Sequence, residues 1–258
     1  MNSIKSAFKN GKAFIAFITA GDPTLETTEA LILAMEQAGA DLIEIGIPFS
    51  DPVAEGEAIQ GADRRALAAG ATTDKIFDMI GHLKEKVRIP LVFMTYINPV
   101  YTYGVSRFMQ KCITCGITGI IIPDLPFEEK EEVLPACTEH GITLISMIAP
   151  TSHERISKIA AQAEGFVYCV SSLGVTGVRS EITTNIGEMI ALVKKATDTP
   201  CAIGFGISTP GQAAEMSKSA DGVIVGSAIV KLIAQYGTES VKPVSDYIKS
   251  MKQAISKK

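Results

Sequence analysis

Eight short apolar runs recur along this chain, and a longer amphipathic stretch follows each one. The runs are "AFIAFITAG" (13–21), "DLIEIGIP" (41–48), "PLVFMTY" (90–96), "GIIIPD" (119–124), "TLISMIAP" (143–150), "FVYCVS" (166–171), "PCAIGFG" (200–206) and "GVIVGS" (222–227). Each is rich in Ile, Val or Phe and is bounded by Gly, Pro, Asp or Ser, the pattern of buried parallel strands. Between them, "TLETTEALILAMEQAG" opens on a Thr cap signal and stops at Gly39. "SRFMQKCITCG", "FEEKEEVLPACTEHG" and "SHERISKIAAQAEG" read as helices that also end at glycine. Strand–helix alternation eight times over 258 residues predicts a (β/α)8 barrel with extra N-terminal and loop helices. An open doubly wound sheet would more often carry GxGxxG after its first strand, and here that strand ends in "TAGDPT". No linker or low-complexity tract divides the chain, so residues 1–258 are expected to form one domain.

Charge and cysteine usage exclude several classes. The formal net charge of -4 comes without a basic stripe, which argues against nucleic acid as a partner. Five cysteines, an odd number in a long chain, argue against a disulfide framework and suit a reducing cytoplasm. Cys112 and Cys115 form a CxxC, but no second pair or nearby His completes a zinc set, and both read as small apolar residues of a helix. The N-terminus lacks the apolar core of a signal peptide, and no run of about 18 apolar residues suggests a membrane span.

In such a barrel the chemistry sits at the C-terminal ends of the strands. In the second run Ile43, Ile45 and Ile47 share one face, and Leu42, Glu44 and Gly46 share the other. Glu44 therefore points into the barrel. A buried carboxylate without a partner acquires a raised pKa, which suits a general acid or base near neutrality. No lysine or arginine lies in any of the eight runs to pair with it, and the missing lysine also argues against a Schiff-base aldolase. The loop "PFSDPVAEGEAIQ" adds Asp51, Glu55 and Glu57. From spacing alone Asp51 suits a turn, Glu57 the start of a helix, and Glu55 could reach back over the mouth. Glycine-rich ends follow the sixth, seventh and eighth runs: "SLGVTG", "GFGIS" and "VGSAIVK". Consecutive turns of this kind beside a helix N-terminus predict a phosphate cradle, although tight turns alone also call for glycine. Three histidines, two of them in helical segments, supply no metal set.

These residues carry a resemblance. The stretches "FITAGDPT", "DLIEIGIPFSDPVAEG", "IIPDLPFEE", "VSSLGVTG", "GFGIS" and "VGSAIVK" occur in the order and spacing of the tryptophan synthase α-subunit family, and the chain resembles that family over nearly its whole length. The resemblance implies metal-free and cofactor-free retro-aldol cleavage of indole-3-glycerol phosphate to indole and glyceraldehyde 3-phosphate. It implies Glu44 as the catalytic acid–base group, and Glu55 at the position of an Asp that assists at the indole N–H. It places Phe17, Tyr96, Asp124, Tyr168, Thr176 and Phe205 along the substrate pocket. Gly177, Gly206, Gly226 and Ser227 fall at its phosphate binders. It further implies an α2β2 complex with a pyridoxal-phosphate-dependent β subunit, docked against residues 48–57 and 97–104. Two departures stand out: the family's usual "ADGP" reads "AEGE" here, so Glu55 is one methylene longer than the expected Asp, and Glu57 replaces a Pro.

Overall fold

A computed structural model describes residues 3–150, 153–170, 186–204 and 206–256. Among these residues nine strand segments form one parallel sheet: β1 (Ala13–Thr19), β2 (Leu42–Gly46), β3 (Leu91–Met94), β4 (Gly119–Ile121), β5 (Thr143–Leu144), β6 (Ser146–Ile148), β7 (Val167–Val170), β8 (Cys201–Gly204) and β9 (Gly222–Val225). Their order is β5-β4-β3-β2-β1-β9-β8-β7-β6. The two ends of this list belong to one expected run. Its first half pairs with β4 and its second half with β7, and Ile145 joins them. The eight expected strands are therefore nine segments, because the fifth run changes partner midway and closes the barrel through its own chain. The other segments stop one to three residues short of the ends of their apolar runs.

Alternation sorts the side chains into two layers. Ile15, Phe17, Leu42, Val92, Ile121, Tyr168 and Ile224 pack inside the barrel. Their neighbours Phe14, Ile18, Ile43, Ile45, Phe93, Ile120 and Val223 pack outward against the helices. Glu44 thus lies on the inner face, as its position between two isoleucines predicts. The floor of the barrel is closed by a 3-10 turn, Ile4–Phe8, whose Ile4 and Ala7 join the inner layer. A Cβ at Gly119 would lie 2.7 Å from Ile4 Cδ1, so glycine there admits the plug.

The outer helices obey their end signals. Helix α1 (Leu25–Gln37) begins where the Thr24 side chain accepts a hydrogen bond from the N–H of Thr27. It is followed at Gly39 by a left-handed residue, φ 104°. Between β2 and β3 lie two helices, α2 (Glu57–Ala68) and α3 (Thr73–Leu83). Between β3 and β4 lie α4 (Ile97–Tyr103) and α5 (Val105–Cys115). "FEEKEEVLPACTEH" divides into a 3-10 turn, Phe127–Glu132, and α6 (Leu134–His140), with Pro135 in the first turn of the helix. Helix α7 (His153–Ala160) stops five residues before Gly165 rather than running up to it. Helices α8 (Ile186–Ala196), α9 (Pro210–Ser217), α10 (Ser227–Tyr236) and α11 (Val241–Ser256) complete the ring. All five cysteines are buried free thiols, and burial pushes those of Cys112 and Cys115 up, so the CxxC is core packing. No described helix is long and apolar enough to cross a membrane.

Candidate active site

The C-terminal strand ends open on a cavity of about 740 Å³, measured out to its mouth. Its wall is mostly apolar: Phe17 from β1, Met94 from β3, Met147 from β6, Tyr168 from β7 and Ile224 from β9. Two carboxylates enter it, Glu44 from β2 and Glu55 from the following loop.

Glu44 is fully buried, and neither carboxylate oxygen has a hydrogen-bond partner among the described residues. Burial first, and the neighbouring Glu55 second, hold its carboxyl well above the usual range. Glycine shapes its surroundings. A Cβ at Gly46 would lie 2.7 Å from Cζ of Phe17, and one at Gly204 2.6 Å from the Tyr168 hydroxyl oxygen. Both rings therefore occupy space that any larger residue on β2 or β8 would take. Tyr168 ionisation is suppressed by burial and by both glutamates.

Glu55 is 7% exposed, although it lies in a loop. The loop is held by its backbone: the Glu55 N–H donates to Pro52 O at 3.3 Å, and Gln60 Nε2 donates to Glu55 O at 2.8 Å. Burial pushes the Glu55 carboxyl up to about 7. Two buried acids with different proton affinities in one cavity are the arrangement that separates an acid from a base. Burial therefore favours the protonated form of Glu44, and Glu55 is near its midpoint at neutral pH.

A third acid, Asp63, was not singled out by sequence reasoning. It lies on the buried face of α2, one turn after the cavity residue Ile59, and its carboxyl rises to about 7 through burial, then Glu55 and Asp22, against Arg64. Helical spacing from Ile59 was the available signal. Asp22 is buried too, but Arg65 clamps it with two bonds of 2.8 Å.

Across the cavity, Gly206, Ile207 and Ser208 form one rim, and Gly226, Ser227 and Ala228 form another at the start of α10. Gly206 adopts φ 78°, a left-handed turn that favours glycine. The N–H groups of Gly206 and Ile207 have no partner among the described residues. Free amides beside the positive end of a ten-residue helix are a general anion site.

Of the residues expected in the site, Phe17, Glu44, Glu55, Tyr168, Gly206, Gly226 and Ser227 line this cavity. Tyr96 and Asp124 are not among the described residues that line it. The Tyr96 hydroxyl accepts from the N–H of Ala54 at 2.9 Å, bracing the acidic loop. Asp124 Oδ1 accepts from the N–H of Ile97 at 2.9 Å, at the start of α4. Thr176, Gly177 and Phe205 lie outside the described residues. Asp51 is exposed and accepts from the Ser50 hydroxyl, a turn contact. Ala54, Ile59, Met94, Pro123, Met147, Ile207, Ser208, Ile224 and Ala228 also line the cavity. Strand alternation alone would have placed Met94 and Ile224 on the inner face. Among the described residues no group of His, Cys, Asp or Glu is arranged to hold a metal.

A model of the family described as "Tryptophan synthase alpha chain" matches residues 4–256. A protein named tryptophan synthase alpha chain from Lactiplantibacillus plantarum is 50% identical over 256 residues, covering 99% of this chain and 97% of the relative. The crystal structure of tryptophan synthase subunit alpha from Legionella pneumophila superposes with a TM-score of 0.90 at 35% identity, over 99% of this chain and 98% of that one. A chain of the tryptophan synthase complex from Pyrococcus furiosus gives 0.86 at 33% identity, over 94% and 98%.

Proposed function

We propose, for a chain that belongs to the tryptophan synthase alpha chain family and cleaves indole-3-glycerol phosphate to indole and glyceraldehyde 3-phosphate, that Glu44 and Glu55 divide the proton transfers of that reaction. The observation that carries this reading is the pairing, in one cavity, of a fully buried carboxyl without a hydrogen-bond partner among the described residues and a second acid near its midpoint.

Glu44 enters the reaction protonated and delivers its proton to indole C3. The ring loses its aromatic character, and positive charge develops at the indole nitrogen, where the Glu55 carboxylate stabilises it. Glu44, now ionised, takes the proton of the side-chain hydroxyl. The C–C bond between that carbon and C3 then breaks: the hydroxyl carbon becomes the aldehyde, and the bonding pair returns to the ring. Glu44 ends protonated as it began, so the cycle needs no metal or organic cofactor. Phe17, Met94, Met147 and Tyr168 give the indole an apolar slot. Gly206, Gly226 and Ser227 supply the phosphate end, and the family resemblance assigns Gly177 and Thr176, outside the described residues, to phosphate and substrate binding. Tyr96 and Asp124 act by fixing the acidic loop and α4 rather than by forming the wall. The family resemblance assigns Phe205, outside the described residues, to substrate binding.

The whole of 1–258 acts as one catalytic domain in the cytoplasm. The family works with a β subunit, and the solved relatives include a tryptophan synthase complex. This chain docks a pyridoxal-phosphate-dependent β subunit in an α2β2 assembly through the loop 48–57 and the segment 97–104. Val53, 76% exposed, and Tyr101, 43% exposed, give that face apolar side chains.

The test is indole release from indole-3-glycerol phosphate by the purified chain, alone and with a cognate β subunit, beside Glu44→Gln. The expected result is activity that rises with the β subunit and falls at least about a hundredfold in the variant, the range of lost general acid–base catalysis. A folded Glu44→Gln protein that keeps wild-type activity would remove Glu44 from the mechanism.

A further inference from the structure

The cavity rim at 206–208 is held from behind by the far end of the chain. Ser208 lines the cavity, yet both polar groups of its backbone are engaged away from it. Its N–H donates to Gln212 Oε1 at 2.9 Å, and its carbonyl accepts from the Tyr247 hydroxyl at 2.9 Å. Gln212 belongs to a capping box at the start of α9, where the Thr209 hydroxyl accepts from the N–H of Gln212 and the N–H of Thr209 donates to Gln212 Oε1 at 3.1 Å. Tyr247 projects from α11, which packs along α9 and α1, and its ring is partly buried against the outer core. The amides of Ile207 and Gly206, without a partner among the described residues, are one and two residues away. Their direction depends on where Ser208 is held, because the left-handed Gly206 has no side chain of its own to anchor the turn.

We infer that Tyr247 is a positioning residue for phosphate binding: its bond to the Ser208 carbonyl aims the amides of the 206–207 turn at the anion. The inference rests on the reading of this rim as the phosphate end. The effect is on binding. The phosphate is held equally in substrate and transition state, and uniform binding appears in KM and not in kcat.

The experiment compares wild type and Tyr247→Phe by calorimetry with two ligands, indole-3-propanol phosphate and indole-3-propanol. Loss of one neutral hydrogen bond predicts about a three- to tenfold weaker phosphorylated ligand, with the alcohol unchanged. In turnover, KM rises by a similar factor while kcat holds. Gln212→Ala, which frees the Ser208 N–H, is expected to act in the same direction. If wild type prefers the phosphorylated ligand and both variants keep that preference in full, the positioning role is overturned. Equal weakening of both ligands also overturns it, pointing to a general structural role. If wild type itself shows no preference for the phosphorylated ligand, the phosphate reading of the rim fails first.

Discussion

Replacing Glu55 by Gln should stabilise the protein above neutral pH while impairing its chemistry. The carboxyl is 7% exposed, and its pKa is raised by burial from the usual 4.5 to about 7. In the unfolded chain it titrates near 4.5. Below that pH it is protonated in both states and contributes nothing to pH dependence. Between about 4.5 and 7 unfolding releases a proton, so stability falls as pH rises; above about 7 the loss is constant. At ~1.4 kcal/mol for each tenfold change in proton affinity, the full loss is about 3 kcal/mol. The amide of the Glu55→Gln variant does not titrate, and above neutrality the missing charge also relieves Glu44 and Asp63, both raised in part by Glu55. Urea unfolding at pH 5 and pH 8 measures this directly, with the slope of each transition as a check on the two-state assumption. The gap between variant and wild type should widen in the variant's favour by about 2–3 kcal/mol from pH 5 to pH 8. A gap that stays constant across this range would refute the reasoning, because Glu55 would then titrate as it does in water.

Two further outcomes test the packing around the site. Gly204→Ala puts a Cβ 2.6 Å from the Tyr168 hydroxyl, so the ring must shift into the cavity; thermal or urea unfolding should show a loss of about 1–3 kcal/mol, together with a raised KM. Native protein should react slowly with a thiol reagent at pH 8, because all five thiols are buried and those of Cys112, Cys115 and Cys137 are pushed up; five fast-reacting thiols should appear only after unfolding, and rapid labelling of Cys112 or Cys115 in the native state would restore a redox role for the CxxC.

The barrel was legible because burial on both faces leaves its mark in each strand, and Glu44 was legible because it interrupts that mark. Period-two alternation needs only the local chain, and it assigned Leu42 and Glu44 to the inside and Ile43 and Ile45 to the outside. Reading weakened where tertiary contacts decide. Glu55 is buried through backbone bonds to Pro52 and Gln60, which loop composition does not announce. Tyr96 follows the end of β3 at Met94, so alternation no longer governs it, and its hydroxyl is taken by the Ala54 amide. The change of partner inside "TLISMI" left no punctuation between Leu144 and Ser146, since both pairings want the same apolar residues. Gly204 invites a phosphate reading from its motif, yet the structure explains it by the ring of Tyr168.

That change of partner at Ile145 makes the barrel a pair of arcs, one of five strand segments and one of four. The arcs meet through a hydrogen-bonded ladder along β1 and β9; on the opposite side no described ladder joins them, and the peptide chain through Ile145 is supplemented by side-chain bonds such as Arg155–Glu128 and Lys130–Gln162. A scission between Ile145 and Ser146 would sever no ladder. The pieces 1–145 and 146–258 would each retain every pairing internal to its arc. The glutamates would belong to one piece and the glycine rims at 206–208 and 226–228 to the other, so catalysis would report their reunion.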